Sequence, residues 1–402
     1  MTWQTIHGGL PYSSERVTPD EFNKLLANLE SIRRNYTGTV WKLTGPRLAW
    51  DSTAEPVWAG DVWVVPNSDG AAISSNGIDW PVNREGWSTN MALPNAAAIN
   101  PGSTVVLTGN TGSATNIRRG SLPFPTTWTK PANPDGCGLT AASFGNGVWL
   151  ASSVATDKKI LRSTDDGQTW SLVTIATGPA TLANKTRPVY GGGKWLVCGT
   201  NGTATYALTS TDGVTWASNT LAAGSAATLA EPVFANGAWV IPRSGPSATT
   251  ECYTSPDGTA WTLRAFLTSR LWNRACYCGS GVWVVTHHSI DAAGRDLALS
   301  FDNGVTWNSS GPPTAGTSKA ASPATVGAGR VVYAVGGFVV HASFASLAVA
   351  DGFGAGTTGA LGAWTEIAVS GMPDTAMAPA YNGTVWLIVP GASGKLVISG
   401  IL

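Results

Sequence analysis

The feature that most limits what this chain can fold into is a two-hairpin unit repeated along most of its length. Its first element is an apolar alternating run, a Gly-containing turn and a second apolar run. It reads PVWAGDVWVV from Pro56, SFGNGVWLAS from Ser143, PVYGGGKWLV from Pro188, PVFANGAWVI from Pro232, CYCGSGVWVV from Cys276, TVGAGRVVYA from Thr325 and AYNGTVWLIV from Ala380. A weaker copy, AINPGSTVVL, starts at Ala98. Alternation on both sides of a Gly turn is the pattern of a β-hairpin.

A second hairpin follows each copy. It reads ISSNGIDW to Trp80, RSTDDGQTW to Trp170, LTSTDGVTW to Trp216, YTSPDGTAW to Trp261 and LSFDNGVTW to Trp307, with degenerate copies ending at Trp128 and Trp364. The second-strand markers Trp63, Val106, Trp149, Trp195, Trp239, Trp283, Val332 and Trp386 are spaced by about 44 residues, more in the last units. Four short strands in that length is the period of a propeller blade. One such blade cannot bury both faces alone, so the units must stack in a ring.

The expected architecture is therefore all-β: an eight-bladed β-propeller over residues 36–402, or a seven-bladed one if the weak unit at Ala98 to Trp128 is irregular. The last unit, from about Ala380, supplies only three strands. Around Trp41, NYTGTVWKLTG looks like a fourth strand without the other three, and its VWKL is like the TWSL at Trp170 and the AWTL at Trp261. The N-terminal strand is expected to complete the last blade and close the ring.

Residues 1–35 lie outside the repeat. Thr18 suits a helix N-cap, Pro19 the first helical position, and Asp20 and Glu21 the positive helix end. Phe22, Leu25, Leu26, Leu29 and Ile32 fall on one apolar face. The segment reads as a short amphipathic helix behind an extended arm, either packed on its own propeller or serving as a docking helix for a larger assembly.

Charged residues make up only 12% of the 402, the formal net charge is zero, and Gly (48) and Trp (19) are abundant. Without a basic run, nucleic acid is not an expected partner. No run approaches the ~20 apolar residues of a membrane span, and the N-terminus lacks the basic and apolar regions of a signal peptide. The odd count of five Cys has no framework spacing, which favours free and mostly buried thiols. No Cys/His spacing fits a zinc site, so neither metal nor cofactor is expected.

The turn pattern Ser-x-Asp-x-Gly-x-Thr-Trp resembles the Asp-box of the sialidase-like propellers. Ser163, Asp165, Gly167, Thr169 and Trp170 match it in full, as do Ser300, Asp302, Gly304, Thr306 and Trp307. The copies with Ser210, Asp212 and Trp216, and with Ser255, Asp257 and Trp261, have one residue fewer before Gly. The copy from Ser74 to Trp80 also carries Asn76 for Asp. The resemblance covers about residues 38 to 402 and implies a structural role for the boxes, on the face opposite the family's active site. Asp and Ser side chains would satisfy backbone N–H groups, Gly would take positive φ, and Trp would fill the gap between blades.

Sialidases, which this chain resembles in blade pattern, also use three Arg, a Tyr–Glu pair and an Asp. Their Phe/Tyr-Arg-Ile-Pro motif does not occur here; Ile241-Pro242-Arg243 runs in the wrong order. Enzymatic activity is not expected. Candidate ligand-binding residues are instead Arg270, Trp272 and Arg274 in the loop leading into the sixth blade, and His288, Asp291, Arg295 and Asp296 in its 2–3 loop. Arg84 and Trp87 after the first blade form a second candidate. Trp beside Arg and Asp suits sugar rings or a protein partner, the alternative being a solvated loop with internal salt bridges.

Together, the missing signal peptide, the low charge and the arm before a closed ring resemble a bacteriophage tail or fibre component in style and composition. In that reading residues 1–35 attach to other virion proteins or to further copies of the chain, and the propeller binds host-surface glycan or decorates the particle. The rival classes are a sialidase-like glycosidase acting on surface polysaccharide and a scaffold or assembly propeller.

Overall fold

The structure is a computed structural model. It describes residues 41–47, 56–67, 70–77, 80, 94–110, 112, 114–122, 128–223, 228–244, 249–270, 272–277, 281–287, 297–310, 331–334, 337–342, 346–351, 364–368, 380–382, 386–388 and 395–399. The expected docking helix, with Phe22, Leu25, Leu26, Leu29 and Ile32, lies outside them.

Every described element is a strand, and the strands form eight antiparallel sheets, numbered here as blades 1 to 8 in chain order. Blade 3 is representative: Leu139–Gly145, Val148–Ser153, Lys159–Ser163 and Ser171–Thr174 pair in sequence order. The first strands of successive blades lie side by side, and that of blade 8 lies against that of blade 1. The fold is a β-propeller whose ring is closed.

Blade 8 is assembled from both ends of the repeat. Ala380–Tyr381, Trp386–Ile388 and Lys395–Ser399 supply three strands, and Trp41–Arg47 adds the fourth, with Trp41 opposite Ser399 and Leu43 opposite Val397. In blade 7 the expected hairpin is displaced by one strand. Val332 belongs to the first strand, Val331–Ala334, which pairs with Gly337–Ala342 so that Tyr333 faces Phe338. The pairing runs from Val331 opposite Val340 to Ala334 opposite Gly337, with apolar residues in both strands. The glycines of TVGAGR imitated that pattern.

The core lies between blades. Trp63, Trp149, Trp195, Trp239 and Trp283, at one position of the second strand, are essentially inaccessible to solvent. Each sits opposite a first-strand aromatic: Trp58, Phe144, Tyr190, Phe234 and Tyr277, with ring centroids 4.9–5.2 Å apart. The Trp that ends each second hairpin packs on the preceding blade. Trp170 joins Ala98, Val106 and Ile117 of blade 2, Trp216 joins Leu150 and Ile160 of blade 3, and Trp80 joins Leu387 of blade 8. Removing one such buried Trp would cost about 3–5 kcal/mol.

The inner strands approach so closely that two positions exclude a side chain. A Cβ on Gly145 would lie 2.4 Å from Tyr190 Cβ, and one on Gly191 would lie 2.4 Å from Phe234 Cβ. Among the described residues Cys137, Cys198 and Cys252 are free thiols, and Cys276 Sγ lies 3.8 Å from Tyr277 O. Cys198 and Cys252 are buried, while Cys137 and Cys276 are half-buried.

Candidate functional site

Antiparallel order gives the ring two faces. One carries the turns between strands 1 and 2 and between strands 3 and 4. The other carries the 2–3 loops and the connections into each first strand.

On the first face the charged groups are consumed by the turns themselves. Ser163 Oγ donates to Asp165 Oδ1 at 2.7 Å and accepts from Gly167 N at 2.9 Å, while Thr169 N donates to Asp165 at 2.9 Å. Trp170 Nε1 donates to Gly167 O. The same bonds recur around Ser300, Asp302, Gly304 and Trp307 and in the shorter turn at Ser255, Asp257 and Trp261, and the Ser–Asp and backbone bonds, without the Trp bond, recur in the shorter turn at Ser210 and Asp212. Gly167, Gly213, Gly258 and Gly304 all take positive φ. Partial burial raises the Asp165 pKa, but bonds from Thr169 and Ser163 outweigh it and hold the carboxyl at about 2. Backbone N–H donors of Thr215 and Val214 bring Asp212 to about 2.

The two longer turns carry an extra residue in the left-handed region, Asp166 (φ 58°) and Asn303 (φ 61°), where short polar side chains are tolerated. Each accepts from the buried Trp of its own blade, Trp149 at 3.1 Å and Trp283 at 3.0 Å. Each also bonds to the preceding blade. Asp166 accepts from Asn100 at 3.0 Å, Ser103 at 2.6 Å and Thr104, while Arg119 of the same blade donates to its carbonyl at 2.7 Å. Asn303 donates to Asn236 O at 3.1 Å. Among the described residues no three His, Cys, Asp or Glu gather as a metal site would require.

The opposite face is different. In blades 4 and 5 the inner strand is interrupted at an X-Pro step. Thr186 N bonds to Cys198 O, and pairing resumes at Val189 opposite Leu196. Ala230 N bonds to Pro242 O, and pairing resumes at Val233 opposite Val240. Pro188 and Pro232 have no N–H to continue the ladder. Blade 6 is also irregular there, with a register shift between Trp272 and Arg274. The residues at the interruptions are Arg187, Glu231 and Arg274, each three positions before Tyr190, Phe234 or Tyr277. They meet: Arg187 Nε lies 3.6 Å from Glu231 Oε1, and Arg274 Nη1 lies 3.4 Å from Glu231 Oε2. The three side chains remain 31%, 29% and 33% exposed. The Arg187 Nε–H is buried without a hydrogen-bond partner. This rim, spanning three blades at the inner edge of the ring, is the candidate binding site.

Of the residues expected from the sequence, Arg274 belongs to this rim. The segment expected to be a loop is instead two strands, Thr262–Arg270 and Trp272–Tyr277, separated by Leu271. Its alternation lets pairing run on until Arg270 faces Thr249. Trp272 opens the inner strand opposite His287. His288, Asp291, Arg295 and Asp296, and Arg84 and Trp87, lie outside the described residues. Arg187 and Glu231 were not anticipated. Their signal was the charge immediately before Pro-Val-aromatic in RPVY and EPVF, once in each of two neighbouring units.

Solved structures share the architecture. The computationally designed Ika8 protein superposes with a TM-score of 0.61 at 10% identity, over 90% of this chain and 100% of that one. BamB from Moraxella catarrhalis gives 0.58 at 12% identity, over 89% and 99%. The GH74 xyloglucanase from Xanthomonas campestris gives 0.56 at 15% identity, over 87% of this chain and 59% of that one. At these identities the likeness is one of fold alone. No known protein family and no curated protein matches the sequence.

Proposed function

We propose that the protein is a non-catalytic recognition propeller, a tail or fibre component of a bacteriophage, which meets host-surface glycan through the rim of Arg187, Glu231 and Arg274. The observation that carries the binding reading is the contrast between the two faces. Turn-face carboxylates are engaged by bonds within their turns or to the preceding blade and are ionised well below neutral pH, which suits staples rather than acid–base chemistry. The rim instead leaves two guanidiniums and a carboxylate partly exposed, with bidentate donors and an acceptor suited to sugar hydroxyls. The virion assignment is supported by the low charge, the polar neutral surface and the arm, residues 1–35, as the attachment to other virion proteins.

Purified full-length protein is tested for retention on host envelope glycan, together with Arg187→Ala/Arg274→Ala. Retention by the parent and its loss in the variant, at unchanged thermal stability, is the expected result. Equal retention by both would remove the rim from the reading. Release of labelled saccharide by the parent would replace recognition with glycoside hydrolysis. Deleting residues 1–35 is expected to leave a folded propeller that no longer enters particles.

A further inference from the structure

We infer that Lys185 is a positioning residue for Arg187: a buried ammonium inside an oxygen cage fixes the backbone from which the rim guanidinium projects. The Lys185 side chain has no solvent exposure. Its Nζ lies 2.6 Å from Ala155 O, 2.8 Å from Asp157 O, 2.8 Å from Asp157 Oδ1 and 3.3 Å from Leu182 O. Ala155 and Asp157 belong to the 2–3 loop of blade 3, and Leu182 to the segment leading into blade 4. An ammonium has three N–H groups, so this cage exhausts its donors. Burial pulls the Lys185 pKa down, and Asp157 opposes that pull.

The loop is built around the cage. Asp157 Oδ1 also accepts from Lys159 N at 3.1 Å, and Lys159 Nζ bridges Asp157 to Asp135 in the segment leading into blade 3. Thr186, the next residue, is held from two sides. Ser152 Oγ of blade 3 donates to its carbonyl at 2.8 Å, and Cys198 N of blade 4 donates to its hydroxyl at 3.0 Å. Lys185 and Thr186 thus tie blades 3 and 4 together, and Arg187 is the first residue past the tie. At the equivalent place in blade 5, Leu229 and Ala230 precede Glu231 and supply no such side-chain bonds. Arg187 is therefore an anchored arginine against which Glu231 is set.

Truncating Lys185 to Ala removes the ammonium and three stem carbons and leaves carbonyl and carboxylate oxygens facing a space open to a small alkylammonium ion, which predicts chemical rescue. The test places a nitroxide label on Arg187→Cys, with a control label on Gln168→Cys at the turn face. Each is read by electron paramagnetic resonance with Lys185 intact, in Lys185→Ala, and in Lys185→Ala with methylammonium. The expected result is a more mobile label at 187 in Lys185→Ala, restored by methylammonium and not by the bulkier tetramethylammonium, while the label at 168 is unchanged. An unaltered signal at 187 would overturn the inference. So would loosening of both labels that methylammonium does not reverse. If Lys185→Ala does not fold, Lys185→Met, which fills the volume without the charge, replaces it; the label at 187 must then be more mobile while that at 168 is not.

The consequence for ligand rests on the recognition reading above. Lys185→Ala should lose about tenfold in glycan retention and regain it with methylammonium. A label response without glycan retention by the parent sinks that reading and leaves the positioning role standing.

Discussion

Ser103 Oγ donates to Asp166 Oδ2 at 2.6 Å, although the two residues belong to neighbouring blades. A single turn residue thereby reaches out of its own sheet and ties the ring together. Replacing Asp166 with Ala should destabilise the protein by about 3 kcal/mol, because it strands several buried donors together with Arg119. Asp165→Ala breaks only bonds within the turn and should cost about 1 kcal/mol. Chemical denaturation of the two variants checks the order, and an equal loss would contradict the inter-blade role.

Acid should weaken the fold through the same carboxylates. Asp165, Asp166 and Asp212 are held at about 2 when folded, below the ordinary Asp value. Depressed folded values stabilise fully above the unfolded pKa, and this contribution is lost as pH falls through the folded one. Stability should be flat from about pH 7 to 5 and should drop between about pH 4 and 2. Asp166→Asn should show a shallower drop over that interval in urea melts.

Gly191 and Gly193 separate crowding from backbone freedom. A methyl at Gly191 collides with Phe234 of the next blade, whereas one at Gly193 meets nothing but sits at φ +78°. Gly191→Ala should cost about 2–3 kcal/mol by overpacking and Gly193→Ala about 1 kcal/mol. Thermal melts of both variants distinguish the two mechanisms.

A chain starting at residue 36 should melt like the parent. One starting at residue 48 should melt at lower temperature and associate, since it leaves Lys395–Ser399 as an open edge. Equal melting of the two truncations would remove the closing role of Trp41–Arg47.

The legible parts of this molecule were those whose chemistry is local. Ser163, Asp165, Gly167 and Trp170 interact within eight residues, so their turn could be read as a string. Strand counting exposed the missing fourth strand of the last blade and its donor at Trp41. What resisted reading depends on neighbours a full repeat away. Arg187 and Glu231 lie one repeat apart, and the charge before Pro-Val stands out only when the two units are compared. The aromatic partners of the buried Trp residues were hidden in the same way, since Tyr190 and Phe234 looked like ordinary strand residues. Blade 7 differs because its sequence has glycine-rich stretches on both sides of Val332, and only the pairing assigns Val332 to the first strand.

The pairing of Trp41 with Ser399 also sets how the ring responds to force. These residues are direct partners at one end of the strand pair, so pulling them apart loads the hydrogen bonds one after another, like a zipper. A ring held together by inter-blade packing would open under modest tension applied across this seam. Tension applied through one end alone would leave that seam unloaded.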